Sequence, residues 1–219
     1  MPQNKPEATL IYFLLDKSAS MARRWTETLT SLAKFFEDQA KQPGECLVTF
    51  ATFDSPGTHT EWLEEVPVAN FTAPGSQDIM PDGDSTALYD ATLKSLGQLA
   101  KYVDTYGKTI LVVMTDGEEN ASRECKSYEA MRATVEKARS GGIEVMYLGV
   151  APEAWSQRDA FATHTVRGTG TAQSLVGTLA YASQAVSNYR SQSERVVGAQ
   201  LFSNGDLVDD DGVVKDDDS

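Results

Sequence analysis

Cysteine and histidine are scarce in this sequence, with two residues of each among 219. Cys46 and Cys125 cannot form a disulfide framework, so we expect two reduced thiols. Two histidines, His59 and His164, and two distant cysteines argue against a zinc site. At this length the chain is one domain, or one domain with a tail, and it can bury a hydrophobic core without such staples.

Long apolar runs are also missing. No stretch approaches the roughly 18 to 20 consecutive apolar residues that a membrane-spanning helix needs. The first five residues, Met1 to Lys5, lack the apolar centre of a signal peptide. We therefore expect no membrane association, and we expect a cytoplasmic protein, or a virion protein if a phage encodes it.

Positive charge is in short supply, because 19 Lys and Arg face 32 Asp and Glu and the formal net charge is −13. Binding to nucleic acid needs clustered Lys and Arg, so this class of function is excluded. Basic partners or divalent cations are favoured instead. Residues 206–219 hold seven Asp and one Lys, a net charge of −6, which leaves −7 for the rest.

The hydrophobic pattern alternates between strands and helices. Leu10 to Leu15 is an apolar run that predicts a strand buried on both faces, as in a parallel sheet. The whole pattern predicts a doubly wound α/β fold, with a mostly parallel central sheet flanked by helices. Strands are predicted over 10–15, 47–53, 59–66, 110–114, 143–150 and 163–166, and helices over 23–41, 89–103, 128–138, 152–161 and 171–189.

Two segments stand outside this alternation. Residues 67–85 are rich in Pro, Gly and Asp, which predicts a long ordered loop. After about Ser191 the helical period fades, and the chain ends in an Asp-rich stretch that we expect to be solvated and mobile. The expected organisation is a domain over 1–190, followed by an extension and acidic tail over 191–219.

Polar residues follow the predicted strands at the edge where open α/β sheets bind ligands. Asp16-Lys17-Ser18-Ala19-Ser20 follows the first strand, Thr115 to Asn120 follows the strand that ends at Met114, and Gly83 to Ala91 opens a helix with the hydroxyl of Thr86. These oxygen-bearing side chains can converge. A hard divalent cation such as Mg2+ prefers oxygen ligands and keeps several waters, so this edge predicts a magnesium site.

Three dispersed motifs resemble the metal-ion-dependent adhesion site of von Willebrand factor A domains: Asp16-x-Ser18-x-Ser20, Thr86 and the turn Thr115-Asp116-Gly117. The resemblance covers roughly residues 9–190 and implies a Rossmann-like three-layer sandwich. Residues 83–91 and 115–122 are similar to those of stand-alone bacterial and phage members. One departure is Asp84-Ser85 before Thr86, where many relatives have Gly or Gly-Ser.

The resemblance implies a site in which hydroxyls bind one Mg2+, or alternatively Mn2+ or Ca2+. The implied ligands are Ser18, Ser20 and Thr86, with Asp16 and Asp116 holding the ion largely through water. Candidates for contacts around these ligands are Asp84, Asp90 and Glu118. The remaining position would take an Asp or Glu carboxylate from a protein partner, since few direct carboxylate ligands leave the ion electrophilic.

The expected function is therefore a non-enzymatic, metal-dependent protein-binding module, in a bacterial or phage assembly. Carboxylates of the acidic tail are candidates for self-association through the same site. The alternatives are a phage structural or assembly protein and a metal-dependent hydrolase or phosphotransferase, although such an enzyme needs a second Asp where Ser18 stands. A purely structural interpretation makes Asp16, Ser18 and Ser20 turn or capping residues before the first helix, and Thr86 the N-cap of its own helix.

Overall fold

The computed structural model describes residues 5–161, 164–192 and 206–215. Its strands, numbered in chain order, are β1 Lys5–Asp16, β2 Cys46–Phe53, β3 Thr60–Pro67, β4 Tyr106–Thr115, β5 Ile143–Gly149, β6 His164–Gly168, β7 Asp206–Val208 and β8 Val214–Lys215. The α-helices are α1 Trp25–Ala40, α2 Leu88–Leu99, α3 Tyr128–Ser140, α4 Arg158–Phe161 and α5 Ala172–Ser191. Short 3-10 helices span Ala19–Arg24, Val68–Asn70 and Pro152–Gln157.

The strands form one sheet in the spatial order β3-β2-β1-β4-β5-β6-β7-β8. All neighbours pair in parallel except at the two edges, where β3 and β8 are antiparallel. The predicted doubly wound, mostly parallel sheet is confirmed. Because the crossovers are helical, both faces of the sheet are covered and the central strands lie between two apolar layers.

Successive side chains of β1 point to opposite faces of the sheet and so pack into different apolar layers. Ile11, Phe13 and Leu15 pack with α1 and α5 on one face, whereas Leu10 and Leu14 pack with α2, α3 and α4 on the other. This explains why the strand is an unbroken apolar run. Cys46 and Cys125 are both free and buried, and no helix within the described ranges is long and apolar enough to cross a membrane.

Most predicted elements are present with bounds shifted by a few residues. The helix predicted over 23–41 begins as the 3-10 helix Ala19–Arg24 and continues as α1, where Trp25 Nε1 donates a hydrogen bond to the carbonyl of Ile79 (3.0 Å). The short helix predicted over 152–161 is likewise a 3-10 helix followed by α4. The long loop is confirmed apart from one 3-10 turn at Val68–Asn70.

The prediction of a solvated, mobile C-terminal segment is wrong for residues 206–215. They extend the sheet, because β7 pairs in parallel with β6 and turns back into β8. Asp206 is buried, and its Oδ2 accepts a hydrogen bond from Tyr181 Oη (2.6 Å). Asp209 Oδ1 accepts from the backbone N–H groups of Asp211 and Val213 and so closes the turn. The acidic residues Asp216–Asp218 lie outside the described residues.

A close backbone approach holds this hairpin against α5. A Cβ built on Gly177 of α5 would lie 2.6 Å from the carbonyl oxygen of Gly212 and 2.7 Å from Val208 Cγ1. Gly212 itself has a φ of +78°, which favours glycine. Ser174 Oγ donates to the carbonyl of Val208 (2.6 Å) one turn before Gly177. At position 177 the backbone of α5 therefore lies so close to the hairpin that only glycine fits.

Two glycine substitutions test the docking of the hairpin. We expect Gly177→Ala to destabilise the protein by about 1–3 kcal/mol, because the added methyl group collides with the hairpin. Gly97→Ala in α2 is the matched control, since nothing lies within 4 Å of its Cβ position. It should stabilise the protein by about 0.5–1 kcal/mol through helix propensity. Chemical denaturation measures both, and equal effects would show that the hairpin does not pack on α5.

Candidate metal centre

Two carboxylates lie together at the carboxyl edge of the sheet. Asp16 is the last residue of β1, and Asp116 directly follows β4, the strand that pairs with β1 in parallel. Both residues are buried, with 0% and 3% of their surface exposed. The parallel pairing of apolar strands therefore brings two acidic side chains from distant parts of the sequence into one small, poorly hydrated region.

Hydrogen bonds fix the orientation of the Asp16 carboxylate. Its Oδ1 accepts from the backbone N–H of Ser18 (2.7 Å), and its Oδ2 accepts from Thr115 Oγ1 (2.6 Å). Thr115 Oγ1 in turn accepts from the N–H of Gly117 (3.1 Å). Burial raises the pKa of Asp16 to about 6, because desolvation outweighs these hydrogen bonds and the nearby charge of Asp116 raises the pKa further.

Asp116 has two different donors, one on each oxygen. Ser20 Oγ donates to Oδ1 (2.6 Å), and the guanidinium of Arg24 forms an ion pair with Oδ2. Desolvation nevertheless raises the pKa of Asp116 above its usual value, against the opposing effects of Ser20 and Arg24. Arg24 lies outside the three motifs that resemble a metal-ion-dependent adhesion site. A search for a basic residue one helical turn after Ser20 would have found it.

The three candidate hydroxyl ligands surround the same point. The Oγ atoms of Ser18 and Ser20 are 3.1 Å apart. A Cβ built on Gly117 would lie 3.5 Å from Thr86 Oγ1 and 3.7 Å from Ser20 Oγ, so both hydroxyls face this glycine. All five predicted ligand residues are therefore brought together. The structural interpretation holds in part: Ser18 is the N-cap of the 3-10 helix Ala19–Arg24, although its side chain makes no cap hydrogen bond within the described residues. The N-cap of α2, however, is Ala87 instead of Thr86.

This donor set fits a hard divalent cation. Two carboxylates and three hydroxyls supply only oxygen, and they leave room for the waters that Mg2+ retains. Within residues 5–161, 164–192 and 206–215, no group of three or more His, Cys, Asp or Glu side chains could hold a metal ion. The oxygen atoms that accompany the two carboxylates here are the hydroxyls of Ser18, Ser20 and Thr86.

A tight contact docks the loop that carries Thr86. The segment at Gly83 forms a β-bridge with Ser18, and the N–H of Ala19 donates to the carbonyl of Gly83 (2.8 Å). A Cβ on Gly83 would lie only 2.2 Å from Asp54 Cβ, so glycine is required there. Asp54 is thus a loop-supporting residue, and its carboxylate pairs with Lys17.

A second set of contacts docks the loop after β4. Thr86 N–H donates to Asn120 Oδ1 (2.9 Å), and Asn120 N–H donates to the carbonyl of Thr86 (3.1 Å). Glu119 Oε2 accepts from the N–H of Tyr89 (2.9 Å). Residues 118–120 do not begin a helix, because α3 begins at Tyr128. Glu119 and Asn120 instead join the two ligand-bearing loops.

The three residues predicted around the ligands have different surroundings. Asp90 accepts hydrogen bonds from the backbone N–H groups of residues 123, 124 and 125, so it anchors the loop. Asp84 is exposed just before Thr86. Glu118 lies on the rim of an open cleft of about 740 Å³, whose lining also includes Ser20, Arg24, Thr86 and Asp116. Three of the candidate ligands, Ser20, Thr86 and Asp116, therefore line this cleft, whereas Asp16 and Ser18 are buried behind them.

Comparisons with known proteins agree with this geometry. The family model of the von Willebrand factor type A domain matches residues 11–167, more than half of the chain. The pilus adhesin SpaC from Lactobacillus rhamnosus GG has a similar fold (TM-score 0.60, 15% identity, 85% of this chain and 31% of the adhesin covered). No match is found among curated proteins.

Two further solved structures have similar folds. One is proximal thread matrix protein 1 from the mussel byssus with a zinc-occupied MIDAS motif (TM-score 0.59, 16% identity, 83% of this chain and 48% of that protein). The other is BatB from Bacteroides thetaiotaomicron (TM-score 0.52, 16% identity, 82% and 96%). The chain thus spans about a third of the adhesin and about half of the byssus protein.

Two isosteric substitutions in β4 test the hydrogen bond to Asp16. Thr115→Val removes a donor from a buried carboxylate, and we expect a loss of about 1.5–3 kcal/mol in the free energy of unfolding at pH 7.5. Thr109→Val is the control, because Thr109 Oγ1 is equally buried but donates to the neutral carbonyl of Gly142. It should cost only about 0.5–1.5 kcal/mol. Equal losses in urea denaturation would mean that Asp16 is not charged in the folded protein.

Proposed function

The chain belongs to the von Willebrand factor type A domain family, and from this premise we propose that it is a metal-dependent protein-binding module. Ser18, Ser20 and Thr86 bind one Mg2+, with Mn2+ or Ca2+ as alternatives, and Asp16 and Asp116 hold the ion largely through water. When bound, the ion supplies a Lewis-acidic position that accepts an Asp or Glu carboxylate from a protein partner.

The observation that carries this proposal is the convergence of three neutral hydroxyls and two carboxylates at one point, where Ser20, Thr86 and Asp116 line an open cleft. The two ligand carboxylates balance the charge of a divalent ion. In the cleft lining, Arg23 and Arg24 oppose the charges of Glu118 and Glu153, so an incoming carboxylate meets no strong repulsion. The cleft leaves the ion accessible from one side. These are the requirements for capturing an anionic side chain from another molecule.

A non-enzymatic role is part of the proposal. Asp16 would be the nucleophile or base of a metal-dependent hydrolase or phosphotransferase, but both of its oxygens accept hydrogen bonds, from Ser18 N–H and Thr115 Oγ1. Two residues further along, where such an enzyme needs a second carboxylate, the chain has Ser18. The fold shared with a pilus adhesin supports an interaction role in a bacterial or phage assembly.

A second copy of the chain is one candidate source of the carboxylate. Asp209 is unsuited to this role, because it pairs with Lys215 and closes the β7–β8 turn. Asp210 accepts a hydrogen bond from Thr169 Oγ1, which leaves Asp211 and residues 216–218 as candidates. Truncation after Lys215 tests residues 216–218: the mass measured by light scattering in Mg2+ should fall to that of the monomer, and an unchanged mass would exclude these residues as the source.

Metal binding is tested with two threonine substitutions. Isothermal titration of the wild-type protein with Mg2+ and Mn2+ should give one site, and Thr86→Val should weaken binding at least about tenfold because a ligand is lost. Thr92→Val is the control, since Thr92 is equally buried but its hydroxyl has no hydrogen-bond partner in the part of the chain that the structure describes. Equal affinities of the two variants would contradict the assignment of Thr86 as a ligand.

Carboxylate capture is tested with immobilised peptides that each carry one Asp or Glu, beside matched peptides with Asn or Gln. Acidic peptides should be retained in Mg2+ and released in EDTA, and Asp16→Ala should retain none. Binding that is equal in EDTA, or equal for the amide peptides, would contradict the proposed function. Phosphatase turnover that Asp16→Ala abolishes would favour the enzymatic alternative.

A further inference from the structure

We propose that Arg24 is a built-in counter-cation of Asp116, which competes with the divalent ion for this carboxylate and so sets the metal affinity of the site; the inference rests on the proposed function for the identity of the competing ion. The five candidate ligands do not require a basic residue next to Asp116. The sequence motifs also do not include one.

Arg24 is tethered to the loop that carries the candidate ligands. It ends the 3-10 helix Ala19–Arg24, which begins directly after Ser18 and contains Ser20. Its guanidinium forms an ion pair with Asp116 Oδ2, and both residues line the cleft. Only 17% of the Arg24 side chain and 1% of the Asp116 side chain are exposed, so water screens the pair weakly.

The ion pair leaves one donor of Arg24 unsatisfied. Nη1 contacts Asp116, but Nε is buried and has no hydrogen-bond partner among the described residues. Nη2 lies beside Gly170, where a built Cβ would approach it to 3.4 Å. A bidentate fork on the carboxylate would be stronger. Arg24 is therefore held mainly through one nitrogen, and a competing cation can displace it without breaking a complete network.

The carboxylate of Asp116 cannot interact fully with both Arg24 and a divalent ion at the same time. Ser20 Oγ already donates to Oδ1, and Arg24 occupies the side of Oδ2. A divalent ion held by Ser18, Ser20 and Thr86 would require the charge of the same carboxylate. The ion and the guanidinium of Arg24 would repel each other in this poorly hydrated region. Binding of the ion must therefore move Arg24 or weaken its ion pair with Asp116. The free energy that this displacement costs reduces the free energy of metal binding.

Arg23 provides a matched control, because it carries the same charge at the preceding position and lines the same cleft, but its side chain is exposed. Arg24→Gln and Arg23→Gln change the net charge equally, but only the first removes the contact with Asp116. In Mg2+ titrations we expect Arg24→Gln to bind roughly tenfold more tightly than the wild type. Arg23→Gln should change the affinity by less than about threefold, since its charge is screened. Arg24→Lys should lie between these values.

Stability in EDTA supplies a readout that is independent of the ion. Arg24→Gln should lower the midpoint of thermal unfolding because Asp116 loses its counter-charge, whereas Arg24→Gln in an Asp116→Asn background should have a much smaller effect. Saturating Mg2+ should restore the midpoint of Arg24→Gln to that of the wild type or above.

The outcomes separate this proposal from the proposed function. If wild-type protein binds Mg2+ and Thr86→Val does not, but Arg24→Gln and Arg23→Gln have equal affinities, only the counter-cation role is overturned. Weaker Mg2+ binding by Arg24→Gln also overturns it, because Arg24 would then assist the ion. If the wild-type protein binds no divalent cation, the proposed function fails and the competition fails with it, whatever the coupling measured in EDTA.

Discussion

Burial of two like-charged carboxylates side by side, Asp16 and Asp116, is the constraint on which the carboxyl edge of the sheet depends. Neither side chain has the hydration that normally stabilises its charge, and the pKa of each is raised in consequence. Hydrogen bonds from Ser18 N–H and Thr115 offset this penalty for Asp16 only in part. The remaining requirement is positive charge, which Arg24 supplies from within and a divalent cation would supply from solution.

The fold meets this constraint by fixing the loops before any ligand arrives. Strands β1 and β4 place the two carboxylates, and their apolar side chains pack into both layers of the core. Gly83 allows the Thr86 loop to lie against Asp54, and Asn120 joins that loop to the one after β4. A preorganised set of neutral hydroxyls costs little entropy to bind an ion, which leaves more of the binding energy for the partner.

Most of the fold could be predicted from sequence, because buried parallel strands are apolar runs. Polar residues at the ends of these strands pointed to the carboxyl edge of the sheet, and the resemblance to von Willebrand factor A domains implied the five candidate ligands. The β7–β8 hairpin could not be predicted. Its strands are too short to show a period, and it is held by contacts such as Gly177 with Gly212, 35 residues apart. The ion pair of Arg24 with Asp116 could not be predicted for a similar reason, since the two residues are 92 positions apart. Backbone hydrogen bonds to Asp90 and Glu119 likewise have no sequence motif.

The most direct test of the account is anomalous diffraction from crystals soaked in Mn2+. A single peak should lie within about 2.3 Å of the hydroxyl oxygens of Ser18, Ser20 and Thr86. Asp16 and Asp116 should contact the ion largely through water, and Arg24 should have left Asp116 Oδ2. A peak elsewhere, or none at a saturating Mn2+ concentration, would contradict the claim that these hydroxyls form a metal centre.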